Sequence, residues 1–192
     1  MIGLYGVRYN SRYRSIADLI EPDSSVLELC CGPGVLCRRY LNRKRVQYVG
    51  LDINHAFVDS LKRKGIDARR FDVQSDTELP GADSVIMQAS LYHFLPDPWP
   101  ILNRMIKAAS RQVIIAEPVR NLANSENSLV AYLAKRFTDP GNGSQAKRFT
   151  EVSLDDLFSI TPDGCEFSAF GLGERERIYV IRKGVSSSTA PE

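Results

Sequence analysis

The order of apolar and amphipathic segments in this chain predicts an α/β fold with a doubly wound, mostly parallel seven-stranded sheet. Six or seven short runs rich in Val, Ile and aromatic residues alternate with amphipathic stretches, which is typical of a parallel sheet covered by helices on both faces. Only residues 171–176 separate the last two runs. This is too short for a crossover helix, so these strands are expected to pair as an antiparallel hairpin. The predicted strands are Ser25–Cys30, Gln47–Asp52, Ala68–Asp72, Ser84–Gln88, Gln112–Glu117, Cys165–Phe170 and Arg177–Arg182.

The amphipathic segments between these strands are predicted to be helices. Asn54, directly after the second strand, can cap the helix that follows, and Gly65 can end it. The predicted helices are Ser11–Ile20, Val35–Leu41, Asn54–Lys64, Pro98–Ala109, Ser125–Phe137 and a short one at Ser153–Phe158.

The length and composition favour a single domain over residues 1–184. The chain has 192 residues, of which 43% are hydrophobic and 25% charged, enough to build one core. Residues 119–150 are longer than a plain crossover and contain a Gly-rich turn, so they are expected to form a substrate-cap segment at the carboxyl edge of the sheet. The small, polar residues 185–192 are expected to be a disordered tail.

Charge and hydropathy argue against several classes of partner. The net charge is +2, with Lys and Arg spread along the chain, so nucleic acid is not an expected partner. No apolar run approaches the ~20 residues of a membrane span, and the N-terminus lacks an export signal, which predicts a cytoplasmic protein. The four cysteines are predicted to be reduced thiols; they form no CxxC pair and have no nearby His, so no metal site is expected.

The most informative local feature is an apolar strand that ends in an acid and enters a glycine turn. Glu28 precedes Cys30-Cys31-Gly32-Pro33-Gly34, and Asp52 ends the next strand 24 residues later. Bare backbone beside a carboxylate is suited to a nucleoside cofactor. The loop does not match the GxGxxG pattern of dinucleotide-binding enzymes, and Pro33 removes an amide donor, so a nicotinamide-dependent oxidoreductase is the less favoured alternative.

At these residues the chain resembles the class I S-adenosylmethionine-dependent methyltransferases. Their first motif is an acid followed by GxGxG: Glu28 matches the acid, Gly32 and Gly34 match the later glycines, and Cys30 stands where the first glycine is common. The resemblance implies a Rossmann-like methyltransferase fold and S-adenosyl-L-methionine as cofactor.

The resemblance continues in order along the next three strands. It implies that Asp52 accepts hydrogen bonds from the ribose hydroxyls and that Asp72 receives the adenine amino group. The segment 81–90 resembles the fourth-strand motif, whose end faces the transferred methyl group. The further residues predicted to bind the cofactor are Ile53, Phe71, Val73 and Gln88.

The residues after the fourth strand are the candidates for the methyl-acceptor side. The neutral imidazole of His93 can take a proton from an acceptor, and Tyr92 lies beside it in the sequence. A helix-capping or partly buried structural role for His93 is an equal alternative. The resemblance further implies that residues 1–22 form a lid or helix, in which Tyr9 or Arg12 could reach the methionine carboxylate.

The predicted function is therefore methyl transfer to a small-molecule acceptor. A non-catalytic partner subunit with a methyltransferase fold is the main alternative, because Cys30 departs from the usual motif and no residue is an unambiguous base. The sequence leaves the acceptor and the oligomeric state open.

Overall fold

The computed structural model describes residues 9–75, 77–119, 149–160, 162–172 and 176–184. Within them the strands form one seven-stranded sheet in the order β3-β2-β1-β4-β5-β7-β6. The strands are β1 Ser25–Leu29, β2 Gln47–Asp52, β3 Ala68–Arg70, β4 Ala82–Gln88, β5 Ala109–Pro118, β6 Cys165–Gly171 and β7 Glu176–Lys183.

The strand directions confirm the predicted fold class. Strands β1 to β5 pair in parallel, whereas β7 pairs antiparallel with both β5 and β6. Strands β4 and β5 start earlier than predicted, at Ala82 and Ala109. The prediction that β3 continues to Asp72 is wrong. The strand ends at Arg70 because the Asp72 carboxylate accepts the N–H of Gln74 at 2.9 Å and turns the chain.

The helical segments also follow the predicted order. Asn54 caps α2 through the N–H of Ala56, as expected. The last helix, α4, begins at Glu151, two residues before the predicted start, because Thr150 forms a capping box with Ser153. The predicted helix Ser125–Phe137 lies outside the described residues. The helices are α1 Tyr9–Asp18, α2 His55–Lys62, α3 Trp99–Ala108 and α4 Glu151–Phe158, with a π-helical turn at Cys37–Leu41 and a 3₁₀ turn at Leu91–Phe94.

Each face of the sheet has its own apolar core. On one face, Ile16 and Ile20 from the α1 region pack against strand residues such as Ile114. On the other face, Met105 of α3 and Phe158 of α4 pack against alternating strand residues. Since side chains alternate along a strand, the end of β1 sends Leu29 to the second core and Glu28 to the side of α1.

The predicted terminal segments are only partly described. In the predicted lid over residues 1–22, α1 contributes to the core, and residues 1–8 lie outside the described residues. Most of the predicted cap 119–150, namely residues 120–148, and the predicted tail 185–192 also lie outside them. Among the helices of the described residues, none has the length and apolar character needed to cross a membrane.

Candidate functional site

The glycine turn after β1 leaves its backbone open on one side and packs tightly on the other. Cys30, Gly32 and Gly34 all have positive φ angles, of 53°, 52° and 63°. A Cβ atom at Gly32 would meet nothing within 4 Å, whereas one at Gly34 would lie 2.6 Å from Cδ2 of Leu61 on α2. Gly34 therefore allows the close approach of α2, and Gly32 leaves room for a ligand against the backbone.

Asp52 connects the end of β2 to this turn. Its Oδ2 accepts the N–H of Gly32 at 2.7 Å, and its Oδ1 accepts the N–H of Asn54 at 2.8 Å. A carboxylate has about four acceptor positions, so each oxygen retains capacity for one further donor. The two backbone donors hold the carboxylate in a fixed orientation beside the open side of Gly32.

Glu28 lies at the centre of a buried row of polar side chains. Its two carboxylate oxygens accept the O–H of Tyr48 and an N–H of the Gln88 amide, both at 2.6 Å. Burial raises the pKa of Glu28 to about 7, against the opposing effect of the two hydrogen bonds. The Gln88 side chain is buried as well, and its Oε1 has no hydrogen-bond partner within the described part of the chain.

The two cysteines of the turn differ in their surroundings. Cys31 is buried with Val58, Leu61 and Ala68. Cys30 is half-buried, and burial raises the pKa of its thiol to about 12. Burial raises the pKa of the Cys31 thiol as well, so both side chains are neutral near pH 7. Cys30 is the more exposed of the two.

The residues predicted to surround adenine follow β2 and β3. Ile53 is exposed on 42% of its surface, Phe71 is half-buried and Val73 is buried. The N–H of Phe71 donates to the Asp52 carbonyl at 3.0 Å, which brings the two strand ends together. The exposed Asp72 holds the following turn by accepting the Gln74 N–H.

The acceptor-side candidates lie on the 3₁₀ turn after β4. Tyr92 is 6% exposed and packs in the core, and its ring centroid lies 4.0 Å from that of His93. His93 is half-buried, and burial lowers the pKa of its imidazole below the ordinary value. His93 is thus the more accessible of the two and is neutral near pH 7.

Sequence reasoning missed Glu117, the last acid of β5. It is 1% exposed, and its Oε1 accepts the N–H groups of Ser90 and Leu91 at 2.7 and 2.6 Å. Burial raises its pKa to about 7. The signal was present in the sequence, because Glu117 ends an apolar strand in the same way as Glu28.

Arg12 does not lie on the exposed side of α1. It is 4% exposed, pairs with Glu176 of β7 at 3.1 Å and lies over the ring of Tyr13. Arg12 therefore joins α1 to the sheet. Tyr9, the other residue predicted to reach the cofactor from this segment, has a side chain outside the described residues. Among the described residues, no three His, Cys, Asp or Glu side chains lie together in a group that could hold a metal ion.

Comparison with solved structures defines the class of the fold. Magnesium protoporphyrin IX methyltransferase from Synechocystis PCC 6803, solved with bound S-adenosylhomocysteine, superposes with a TM-score of 0.64 at 16% identity over 93% of this chain and 84% of its own. DhpI, in a complex with SAM and HEP, superposes with a TM-score of 0.63 at 15% identity over 94% of this chain and 89% of its own. A putative methyltransferase in a complex with the Haloferax volcanii Trm112 activator superposes with a TM-score of 0.63 at 12% identity over 94% of this chain and 93% of its own. The chain therefore has the Rossmann-like fold of methyltransferases.

The family follows from the sequence itself. The model of the family described as methionine biosynthesis protein MetW matches residues 10–130, which is more than half of the chain. This protein therefore belongs to the MetW family. No curated protein matches it in sequence.

Proposed function

We propose that this protein binds S-adenosylmethionine at the carboxyl edge of the sheet and transfers its methyl group to a small-molecule acceptor. The observation that carries the proposal is the position of Asp52, whose carboxylate is fixed beside the open backbone of Gly32. A ribose diol needs two acceptors on one rigid group, and each oxygen of Asp52 retains one acceptor position.

Further residues fit the remaining parts of the cofactor. Ile53, Phe71 and Val73 offer apolar surface for adenine, and Asp72 offers an acceptor for its amino group. At the other end of the site, Oε1 of Gln88, which has no hydrogen-bond partner among the described residues, can accept a donor from the cofactor's methionine portion. Glu28 supports this assignment indirectly, because it orients the Gln88 amide.

Cys30 narrows the turn at the position where related enzymes have glycine. Its side chain is half-buried and its backbone is in the left-handed region, at φ 53°. Such a conformation is disfavoured for residues with a Cβ and persists only where neighbouring contacts hold it. We place Cys30 against the methionine portion of the cofactor because it occupies the first position of the glycine turn, directly after β1.

The chemistry needs alignment and one proton acceptor. When bound, S-adenosylmethionine would supply an electrophilic methyl group to the acceptor's nucleophilic atom and would leave as S-adenosylhomocysteine. Alignment of the reactants can supply about 7–11 kcal/mol in the best model systems. His93 is the proposed base for the acceptor's proton, since burial favours its neutral form. The Tyr92 ring supports the imidazole from one side.

The proposal is tested by incubating the protein with methyl-labelled S-adenosylmethionine and a panel of small metabolites. Label is expected in a small-molecule product, and His93→Ala should lower the rate at least tenfold by removing the base, about 1.4 kcal/mol of barrier. Label that never leaves the cofactor across the panel would contradict a catalytic role. Adding reduced nicotinamide cofactor to the same samples tests the oxidoreductase alternative, which predicts a change in its fluorescence.

A non-catalytic partner subunit is the second candidate function. The cysteine in the glycine turn favours it, because a side chain there reduces the space for the cofactor. This candidate predicts a stable complex with another protein and no label transfer by the isolated chain. A cytoplasmic location is part of either proposal, supported by four free thiols.

A further inference from the structure

The turn between β4 and the 3₁₀ helix is held in a strained backbone conformation. Ala89 has a φ of 48°, in the left-handed region that residues with a Cβ disfavour. This turn leads directly to Tyr92 and His93, and the His93 N–H donates to the Ser90 carbonyl at 3.1 Å. The placement of the proposed base therefore depends on whatever fixes the turn.

Three consecutive N–H groups of the turn donate to the end of β5. The N–H of Ala89 donates to the Ala116 carbonyl at 2.8 Å. The next two donate to Glu117, at 2.7 Å from Ser90 and 2.6 Å from Leu91. Both use the same oxygen of a carboxylate that is 1% exposed. One buried side chain thus satisfies two donors that the β-sheet does not pair.

We propose that Glu117 is a positioning residue for the methyl acceptor, acting through these two hydrogen bonds to set the place of His93. The proposal rests on the proposed function, in which His93 faces the acceptor. Glu117 itself touches neither reactant; its effect reaches the site through the backbone of the turn. The position of the turn then depends on whether the Glu117 oxygen lies close enough to accept the two N–H groups, and the carboxylate charge is secondary.

Two single substitutions of Glu117 distinguish the effect of the oxygen's position from the effect of the charge. Glu117→Gln keeps an oxygen at the same distance and removes the charge, whereas Glu117→Asp keeps the charge and withdraws the oxygen by about one C–C bond, roughly 1.5 Å. A positioning role predicts that the Gln variant behaves like wild type and the Asp variant does not. A role for the charge predicts the reverse order.

The first measurement uses the imidazole NMR signals of the isotope-labelled full chain. The protein has two histidines, and the exposed His55 on α2 serves as the internal reference. The Asp variant is expected to move the His93 signals and to lower hydrogen-exchange protection of the Ser90 and Leu91 amides at least tenfold. His55 should stay unchanged in both variants, and the Gln variant should keep protection within threefold of wild type.

The second measurement is label transfer from methyl-labelled S-adenosylmethionine to the metabolite panel. The Asp variant should transfer label at least tenfold more slowly, while its affinity for S-adenosylhomocysteine stays within twofold. The inference would be overturned if the Asp variant kept the wild-type hydrogen-exchange protection of Ser90 and Leu91 and transferred label at the wild-type rate. Absence of transfer by the wild-type protein would overturn the proposed function instead, so the two failures are distinct.

Discussion

Glu28 makes the stability of this protein depend on pH in a direction that can be measured. The perturbation is Glu28→Gln, which has nearly the same shape and carries no charge at any pH. Burial raises the pKa of Glu28 from 4.5 to about 7, so the folded state holds a proton that the unfolded state releases between these values. The free energy of unfolding therefore falls as the pH rises through this window.

The magnitude follows from the two pKa values. A difference from 4.5 to about 7, at about 1.4 kcal/mol per pKa unit, corresponds to about 3 kcal/mol. The side chain is 3% exposed, so bulk water screens it little. Glu117 has a similar pKa, so its titration changes the stability of wild type and variant with pH in the same way. The difference in unfolding free energy between the two proteins therefore reports on Glu28 alone.

The assay is urea unfolding followed by fluorescence of Trp99, the single tryptophan, from about pH 4.5 to about pH 8. Over this range the variant should gain about 3 kcal/mol relative to wild type. Glu78→Gln is the matched control, because Glu78 is exposed and pairs at the surface with Lys107. A stability difference between wild type and Glu28→Gln that stays constant with pH would refute the reasoning.

Other predictions concern the glycine turn and the buried ion pair. Gly34→Ala should destabilise the fold by about 1–3 kcal/mol, because its Cβ meets Leu61 and its φ is positive. The Cβ of Gly32→Ala would meet no atom, so this variant should fold with its free energy of unfolding lowered by about 1–2 kcal/mol because of the positive φ. It should also bind S-adenosylhomocysteine more weakly than wild type. Unfolding midpoints equal to wild type in both glycine variants, together with an equal affinity of Gly32→Ala, would contradict these expectations. Arg12→Ala leaves the half-buried Glu176 without this ion pair and should cost about 1–3 kcal/mol. The double variant Arg12→Ala, Glu176→Gln should recover part of that loss in urea unfolding, and a single variant as stable as wild type would show that the pair contributes nothing.

The strands and the antiparallel pairing of the last two were predictable because their sequence signals are local. Apolar runs bounded by turn residues placed strand ends within three residues, and the short final connection predicted the antiparallel β7. The boundary of β3 was missed because a side-chain hydrogen bond of Asp72 competes with strand pairing. The π-helical form of Cys37–Leu41 has no comparable signal in the sequence.

The position of Asp52 at the end of β2, beside the glycine turn, was predictable because it depends on one residue and its place at a strand end. The site was not predictable where partners come from distant parts of the chain. Glu117 lies 27 residues from Ser90, and Arg12 lies 164 residues from Glu176. These contacts depend on which strands become neighbours and which way the side chains face. The sequence pattern of α1 alone also does not indicate that Arg12 is buried.

The central claim is tested most directly by isothermal titration of S-adenosylhomocysteine into wild-type protein, Asp52→Ala and Asp59→Ala. Asp59 is an exposed acid on α2 and serves as the control. We expect wild type and Asp59→Ala to bind alike. Asp52→Ala should bind with an affinity at least tenfold lower, about 1.4 kcal/mol, in protein whose melting curve shows it to be folded. Equal affinity in all three proteins, or no binding by wild type, would contradict the central claim.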